Sequence, residues 1–269
     1  MLSNRKLKQK ELFVFDLDGT IIETKSPMEP EMSKLITRLI KTKKVAIIGG
    51  GKYSVFQELF VCKLKCKQEL FKNLFLFPAT STIFYKYHHG WKKIYALHLS
   101  SGEIKKIKQA FQDVFKEIGY KHPKKTYGKI IEDRGTQVSF SIYGQDLVKV
   151  LGRKGVRMKK EWLKKNLKLK MKIARLVGKK LPGLEVRAAG FTTIDVTRRG
   201  IDKAYGIHQI EKHLRIPIRK MFFIGDGIFP GGNDYAIVKT GIDYEYVKNP
   251  NETKEIINKV LSDENTKDD

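Results

Sequence analysis

Three short apolar runs, each stopped by glycine or aspartate, limit the folds open to this chain more than any other feature. They are 11–18 (ELFVFDLD), 44–48 (KVAII) and 220–224 (KMFFI). Runs this continuous are typical of parallel strands that are buried on both faces. The periodic patterns between them predict helices, over residues 30–41, 53–63 and 203–214. Strands that alternate with helices predict an α/β fold, a Rossmann-like core with a parallel sheet.

The middle of the chain has a different pattern. Its predicted elements are, in order, a hairpin at 82–99, a helix at 102–118, a hairpin at 129–143, a helix at 158–177 and an extended segment at 184–196. This order predicts a small α+β domain with an antiparallel sheet, inserted into the α/β domain. We therefore expect a core made of 1–82 and 188–269, and an inserted domain at 83–187.

Carboxylates follow two of the predicted core strands at the point where each strand ends. Asp16 and Asp18 come at the end of the first strand, and Asp226 and Asp234 follow the third. Ligands of open α/β sheets bind at this edge, and Mg²⁺ prefers such oxygen ligands. Aspartates are also common in turns after strands, where they cap helices. Two such clusters in one chain favour the metal site over that simpler explanation.

The segment 15–20, Phe-Asp-Leu-Asp-Gly-Thr, resembles the first motif of the haloacid dehalogenase superfamily of phosphotransferases. The resemblance implies that Asp16 is the nucleophile that becomes aspartyl-phosphate, and that Asp18 is the general acid and base. It also implies a Mg²⁺ cofactor held by Asp16, Asp18, Asp226 and Asp234. A carboxylate attacks phosphorus only if both negative charges are offset, which explains the need for the metal and a lysine.

The remaining motifs of the superfamily are matched in order along the chain. Gly49 and Gly50 occupy the second motif, where the family usually has Ser or Thr, so backbone N–H groups would have to bind the phosphoryl group. The segment 200–204 is similar to the third motif and implies that Lys203 neutralises Asp16 and the phosphate. The segment 225–234, with its closing Gly-Gly-Asn-Asp, is similar to the fourth motif.

The inserted domain falls between the second and third motifs. That placement resembles the branch whose α+β cap closes over sugar phosphates, which includes sugar phosphatases and eukaryotic-type phosphomannomutase. Thr193 and Asp195 match a Ser-x-Asp pair that binds sugar hydroxyls, and Lys25 lies where the mutase has an arginine at the core–cap junction. The resemblance assigns substrate or phosphate binding to eight residues: Gly49, Gly50, Lys25, Arg134, Gln145, Thr193, Asp195 and Asn233.

One residue departs from the mutase pattern. Gln145 stands where the mutase has a second cap arginine for the distal phosphate. A mutase binds a bisphosphate in two orientations, and the loss of an arginine removes a permanently charged, bidentate donor. We therefore expect a Mg²⁺-dependent phosphohydrolase of sugar phosphates that acts through an aspartyl-phosphate on Asp16. The alternative is a phosphomannomutase, which moves phosphate between C6 and C1 of a hexose.

Positive charge is concentrated in the predicted inserted domain. The chain carries a net charge of +25, and residues 83–187 hold 27 Lys and Arg against 8 Asp and Glu. This surplus is consistent with a solvated surface, with a potential that attracts anionic sugar phosphates, or with contact to nucleic acid or a membrane surface. A basic nucleic-acid-binding protein with a vestigial active site is the third hypothesis, although no zinc-finger spacing or RNA-stacking motif supports it.

Other features bear on location and partners. The chain has only two cysteines, Cys62 and Cys66, no apolar run of 18 residues, and no signal-peptide pattern at its N-terminus. We expect a cytoplasmic protein that does not bind membranes, with a phosphorylated small molecule, such as a hexose phosphate, as its partner. Nucleic acid is a less favoured partner, and a homodimer through the cap is a further expectation.

Overall fold

The computed structural model describes residues 3–262. The chain forms two compact units. The first comprises the described parts of Met1–Tyr95 and Asp202–Asp269, and the second is Ala96–Ile201. Both limits lie further along the chain than the predicted limits at 82–83 and 187–188.

A seven-stranded sheet, in the order β11-β10-β1-β2-β3-β4-β5, forms the centre of the first unit. The strands are β1 (Leu12–Asp16), β2 (Lys44–Ile48), β3 (Leu74–Phe77), β4 (Ile83–Tyr87), β5 (Trp91–Ala96), β10 (Met221–Gly225) and β11 (Asp243–Tyr246). β1 lies between β10 and β2 and is parallel to both, and Phe13 pairs with Val45 and Phe222. All five residues of β1 are buried, which explains its continuous apolar run.

Helices cover both faces of this sheet. They are α1 (Asn4–Lys8), α2 (Pro30–Thr42), α3 (Tyr53–Leu59), α6 (Lys203–Leu214) and α7 (Pro250–Leu261). Alternate residues of β1 enter two different apolar layers: Phe13 and Phe15 share one with α2 and α7, and Leu12 and Val14 share the other with α6. The predicted α/β class with a mostly parallel sheet is therefore confirmed.

The first predicted hairpin belongs to this sheet rather than to the inserted domain in which the sequence placed it. β4 pairs antiparallel with β3, and β5 extends the sheet beyond β4. Phe84 of β4 stacks on Phe77 of β3, with ring centroids 4.4 Å apart. Because Phe84 is buried in the apolar layer that also holds α6, the hairpin gains its stability from the core. The boundary therefore falls after it.

The second unit is a four-stranded antiparallel sheet packed against two helices. Its strands, in the order β6-β7-β9-β8 across the sheet, are β6 (Ile131–Asp133), β7 (Val138–Ser141), β8 (Leu184–Ala189) and β9 (Thr193–Arg198). The helices are α4 (Ser101–Glu117) and α5 (Leu147–Lys180). The predicted α+β character is confirmed, although the extended segment at 184–196 is a pair of strands. No helix of the described chain is both long and apolar enough to cross a membrane.

Candidate active site

The carboxyl edge of the central sheet brings together an aspartate, a lysine and a second aspartate from distant parts of the chain. Asp16 is the last residue of β1, and Lys203 is the first residue of α6. The Lys203 ammonium forms ion pairs with Asp16 and with Asp234. The three side chains are almost completely buried, at 4%, 3% and 0% exposure for Asp16, Lys203 and Asp234.

Local structure holds Lys203 and Asp234 in place. The Asp202 carboxylate caps α6 by accepting a hydrogen bond from the Tyr205 N–H at 2.8 Å, which fixes the first turn that carries Lys203. After β10, the chain closes a loop on itself. The Gly227 N–H donates to Asp234 Oδ2 at 2.9 Å, and the Asp234 N–H donates to the Gly227 carbonyl at 3.1 Å.

Burial and repulsion between carboxylates raise the pKa values of Asp16 and Asp226. Burial raises the pKa of Asp16 well above its usual range, Asp234 and Asp226 raise it further, and Lys203 opposes them. Burial and Asp234 raise the pKa of Asp226 to about 7. Burial alone would lower the pKa of Lys203, but Asp16 and Asp234 outweigh it and raise the pKa. Lys203 therefore stays charged.

Three of the carboxylates form a group that suits a divalent cation. Asp16, Asp226 and Asp234 each offer a carboxylate oxygen, and these oxygens lie within 4.8 Å of one another. When ionised they carry three negative charges against the single positive charge of Lys203. The chemistry of the donors, all carboxylate oxygens, matches the preference of Mg²⁺. These residues therefore fit the metal that the sequence predicts.

This arrangement predicts a pH-dependent effect of Mg²⁺ on stability. Carboxyls with raised pKa values bind protons more tightly in the folded chain. In metal-free protein they therefore stabilise the fold below about pH 4, and this stability is lost as the pH rises through about 7. Since Mg²⁺ would replace those protons, the rise in Tm between EDTA and Mg²⁺ should increase from pH 5 to pH 8. A rise in Tm that is the same at every pH would contradict the prediction.

Asp18 is placed differently from the other predicted metal ligands. Its carboxylate is not among the three that cluster; instead its Oδ1 accepts a hydrogen bond from the Lys25 N–H at 2.6 Å. Lys25 has φ of 53°, in the left-handed region that lysine rarely adopts. The backbone of Lys25, predicted as a substrate ligand, thus orients Asp18. The sequence did not predict this difference between Asp16 and Asp18, because both residues come at the end of the same strand.

Gly19 allows the two acidic loops to approach each other. Its φ is +87°, and a Cβ atom added there would lie 2.2 Å from Asp226 Oδ2. We expect Gly19→Ala to lower kcat for phosphate release by at least about 100-fold, because it would displace groups around Asp16. The control is Gly241→Ala, which has φ of +74° but open space around its Cβ. It should cost only about 1 kcal/mol of stability and leave kcat unchanged.

The glycine turn after β2 is bonded to a strained turn after β3. The Gly49 N–H donates to the Phe77 carbonyl at 3.2 Å. This amide therefore bonds to the backbone of β3, whereas the sequence predicted that it binds the phosphoryl group. The Thr80 N–H donates to the Gly49 carbonyl at 2.9 Å. Ala79, Thr80 and Ser81 all have left-handed φ values, and such strain concentrates at functional sites. The sequence lacked the glycines that usually signal this conformation.

The predicted substrate ligands of the second unit form a chain of hydrogen bonds. Arg134 Nη2 donates to Gln145 Oε1 at 3.1 Å, and Gln145 Nε2 donates to the Ser139 carbonyl at 3.2 Å. The Ser139 hydroxyl donates to Asp195 Oδ1 at 2.5 Å. Thr193 begins the same strand, β9. Three of the four predicted residues in this unit therefore share one network.

Two members of that network were not predicted as site residues. Glu132 Oε2 accepts from Arg134 Nε at 2.8 Å, and Ser139 links Gln145 to Asp195. Side chains alternate between the two faces of a strand, and Glu132 and Ser139 lie on the same face as Asp195. The alternation of β6 and β7 could therefore have predicted that these two residues belong to the network. In the first unit, the predicted Asn233 lies against the glycine loop: a Cβ added at Gly227 would come within 2.2 Å of its Oδ1.

Comparisons with known proteins identify the family of this chain and support its fold. A model of the haloacid dehalogenase-like hydrolases matches residues 13–267. A phosphomannomutase of Encephalitozoon cuniculi is 25% identical over 267 residues, covering 94% of each chain. Among solved structures, an N-terminally truncated IMP-nucleotidase of Plasmodium falciparum has a TM-score of 0.70 and 16% identity. The match covers 96% of this chain and 72% of the nucleotidase chain. Trehalose-6-phosphate phosphatase of Aspergillus fumigatus has a TM-score of 0.54 and 16% identity, and the match covers 97% of this chain and 98% of the phosphatase chain.

Proposed function

This chain belongs to the haloacid dehalogenase-like hydrolases, and from that premise we propose that it hydrolyses sugar phosphates in a Mg²⁺-dependent reaction. The observation that carries the proposal is the buried ion pair between Lys203 and the predicted nucleophile, Asp16. A site that had lost its activity would have no reason to keep Asp16, Asp234 and Lys203 buried, because burying charged groups destabilises a fold.

In the first step, a carboxylate oxygen of Asp16 attacks the phosphorus atom and forms the aspartyl-phosphate bond. The bond from phosphorus to the ester oxygen breaks, and Asp18 donates its proton to the leaving sugar oxygen. Lys203 offsets negative charge on Asp16 and on the phosphoryl oxygens. Bound Mg²⁺, held by Asp16, Asp226 and Asp234, would supply further charge neutralisation.

In the second step, water attacks the phosphorus of the aspartyl-phosphate. Asp18, now ionised, takes a proton from that water, and the bond to Asp16 breaks to release phosphate. The carboxylate of Asp16 is thereby restored. The hydrogen bond from the Lys25 N–H to Asp18 Oδ1 would hold the acid and base in one orientation through both steps.

Phosphomannomutase is the second candidate, favoured by relatives such as the Encephalitozoon cuniculi enzyme. Gln145 argues for the hydrolase. Its Oε1 accepts from Arg134, and it brings no charge of its own for the distal phosphate of a bisphosphate. The predicted cytoplasmic location and the predicted homodimer through the inserted unit stay predictions.

The test is a panel of hexose monophosphates, with release of inorganic phosphate measured in Mg²⁺ and in EDTA. Mg²⁺-dependent release supports the hydrolase. Interconversion of mannose 6-phosphate and mannose 1-phosphate, stimulated by a hexose bisphosphate, would establish the mutase instead. Absence of both, together with salt-sensitive binding of RNA or DNA, would support the nucleic-acid hypothesis.

A further inference from the structure

A buried turn that follows β3 lies against the first turn of α6, the helix that begins at Lys203. Ala79, Thr80 and Ser81 of this turn have left-handed φ values of 51°, 57° and 68°. Residues with a Cβ atom rarely adopt that conformation, so each of the three costs free energy. Ser81 is also completely buried, at 0% exposure. Backbone strain of this kind persists only where surrounding contacts hold it in place.

Hydrogen bonds supply those contacts within the first unit. The Ala79 N–H donates to the Gly51 carbonyl at 2.8 Å, in the glycine turn after β2. The Tyr95 hydroxyl of β5 donates to the Ser81 carbonyl at 3.0 Å. The Tyr95 ring also packs beside His213 of α6, with ring centroids 5.7 Å apart. The strained turn is therefore bonded directly to the segment after β2 and connected to α6 through Tyr95.

The Ser81 side chain fills the space beside Gly206 of α6. A Cβ atom added at Gly206 would lie 2.3 Å from Ser81 Oγ and 3.1 Å from Ile48 Cδ1. Glycine inside a helix is less stable than alanine. The buried Ser81 hydroxyl has no hydrogen-bond partner within residues 3–262, which is also unfavourable. Two residues that each cost stability therefore meet at one contact, and such departures from the local rules of folding are expected at functional sites.

The contact lies next to the ion pair of the candidate active site. Gly206 follows Lys203 by three residues, so both belong to the first turn of α6. Ile48, the other neighbour of Gly206, pairs with Asp16 across β2 and β1. A shift of the first turn of α6 would therefore move Lys203 relative to Asp16. A displacement of about 1 Å at a reacting group can lower a rate by about 100-fold.

We propose that Ser81 is a positioning residue, whose side chain spaces the first turn of α6 from the turn after β3 and so sets the place of Lys203 beside Asp16. The inference rests on the proposed function, because it gives Ser81 a part in phosphoryl transfer to Asp16. Ser81 acts through the backbone of Gly206. The left-handed φ and the unpaired hydroxyl are the cost of filling that space with a side chain held in a fixed position.

A double-mutant cycle tests the inference by exchanging the two sides of the contact. Ser81→Gly removes the spacer, and Gly206→Ala adds a methyl group that meets Ser81 Oγ. Each change alone should lower kcat for phosphate release by at least about 10-fold. Ser81→Gly should do so without loss of stability in urea unfolding, since glycine tolerates the left-handed φ and no buried hydroxyl is left unpaired.

The double variant gives the result that a purely structural contact would not. Its methyl group on α6 replaces the Ser81 side chain, and the nearest remaining atom is Ile48 Cδ1, the end of a flexible side chain. Its kcat should therefore return to within about 3-fold of the unmodified protein, whereas independent effects would multiply to a loss of about 100-fold or more. If Gly206→Ala unfolds, the recovery from Ser81→Gly to the double variant still measures the coupling.

Two variants are matched controls. Arg215→Gly also replaces a left-handed residue, with φ of 54°, at the exposed C-terminal cap of the same helix. Gly178→Ala adds a methyl group to a glycine of α5, where its nearest contact would be Val186 at 3.8 Å. Neither change alters the contact between Ser81 and Gly206, so both variants should keep kcat within about 2-fold of the unmodified protein.

A binding measurement separates this inference from the proposed function. Beryllium trifluoride, a phosphoryl mimic that bonds to a carboxylate oxygen, is titrated into each protein in Mg²⁺. Both single variants should bind it at least about 10-fold more weakly, and the double variant within about 3-fold of the unmodified protein.

Where the unmodified protein releases phosphate, the inference is overturned if Ser81→Gly loses less than about 3-fold in kcat, or if the losses of the single variants multiply in the double variant. The proposed function then stands. Where the unmodified protein releases no phosphate from any ester of the panel, the proposed function fails, and binding of the mimic decides the inference. Recovery of binding in the double variant supports it, and no recovery, or no binding to any of the proteins, overturns it.

Discussion

The Asp16→Asn variant is expected to lose at least about 10⁴-fold in kcat for phosphate release, because an amide cannot form the aspartyl-phosphate. Its stability should not fall. Burial raises the pKa of Asp16, and the neighbouring Asp234 and Asp226 raise it further. A neutral side chain of the same shape therefore avoids the cost of a buried charge and relieves repulsion. Lys203 keeps Asp234 as an ion-pair partner.

Phosphate release and thermal unfolding of the same preparation measure these two effects. Asp16→Glu is the matched comparison, since it keeps the charge but moves the carboxylate away from the position set by β1. It should also lose most of its activity, because attack on phosphorus depends on position. Residual turnover of Asp16→Asn within 10-fold of the unmodified protein would rule out Asp16 as the nucleophile.

The Lys203→Met variant is expected to lose both stability and activity. Methionine has a similar length, but it leaves Asp16 and Asp234 buried without their cation. Removing one partner of a buried ion pair costs about 3–5 kcal/mol. Unfolding in urea should show this loss in metal-free protein, and Mg²⁺ should recover part of it by supplying positive charge to the same carboxylates.

Lys239→Met is the control for the loss of a lysine. Lys239 also pairs with an aspartate, Asp202, at 3.1 Å, but its side chain is 68% exposed. An exposed pair of this kind contributes at most about 1 kcal/mol, and the variant should keep its activity. An equal loss of stability in both variants would contradict the view that burial makes Lys203 important.

Much of the catalytic unit could be predicted from the sequence. The strand β2 and the helix α6 have the bounds predicted for them, 44–48 and 203–214. A continuous apolar run predicts the strand and amphipathic periodicity predicts the helix, and both patterns are local in sequence. The strands β3 and β11 were missed. β3 is only four residues long and follows a short 3-10 helix, and β11 alternates between intermediate and exposed positions at the sheet edge.

The inserted unit was harder to delimit, because a hairpin pattern does not say which sheet the hairpin joins. β4 and β5 have the alternation expected of either sheet, and the pairing of β4 with β3 and the packing of Phe84 assign them to the core. The helix predicted at 158–177 extends over Leu147–Lys180. Within that segment the backbone of Gly152 and Asn166 is not helical, so kinks there divide it into shorter helical stretches.

The sequence by itself determined which chemical groups the candidate site contains: aspartates at strand ends, a lysine at a helix start, and the order of the motifs that connects them. Those properties are local, because a strand end and a helix start are specified by neighbouring residues. Only the tertiary structure decided which charges meet. Asp18 turns to the Lys25 amide while Asp16, Asp226 and Asp234 converge, and Arg134 pairs with Glu132. Ion pairing depends on distance and burial in space, which no spacing along the chain specifies.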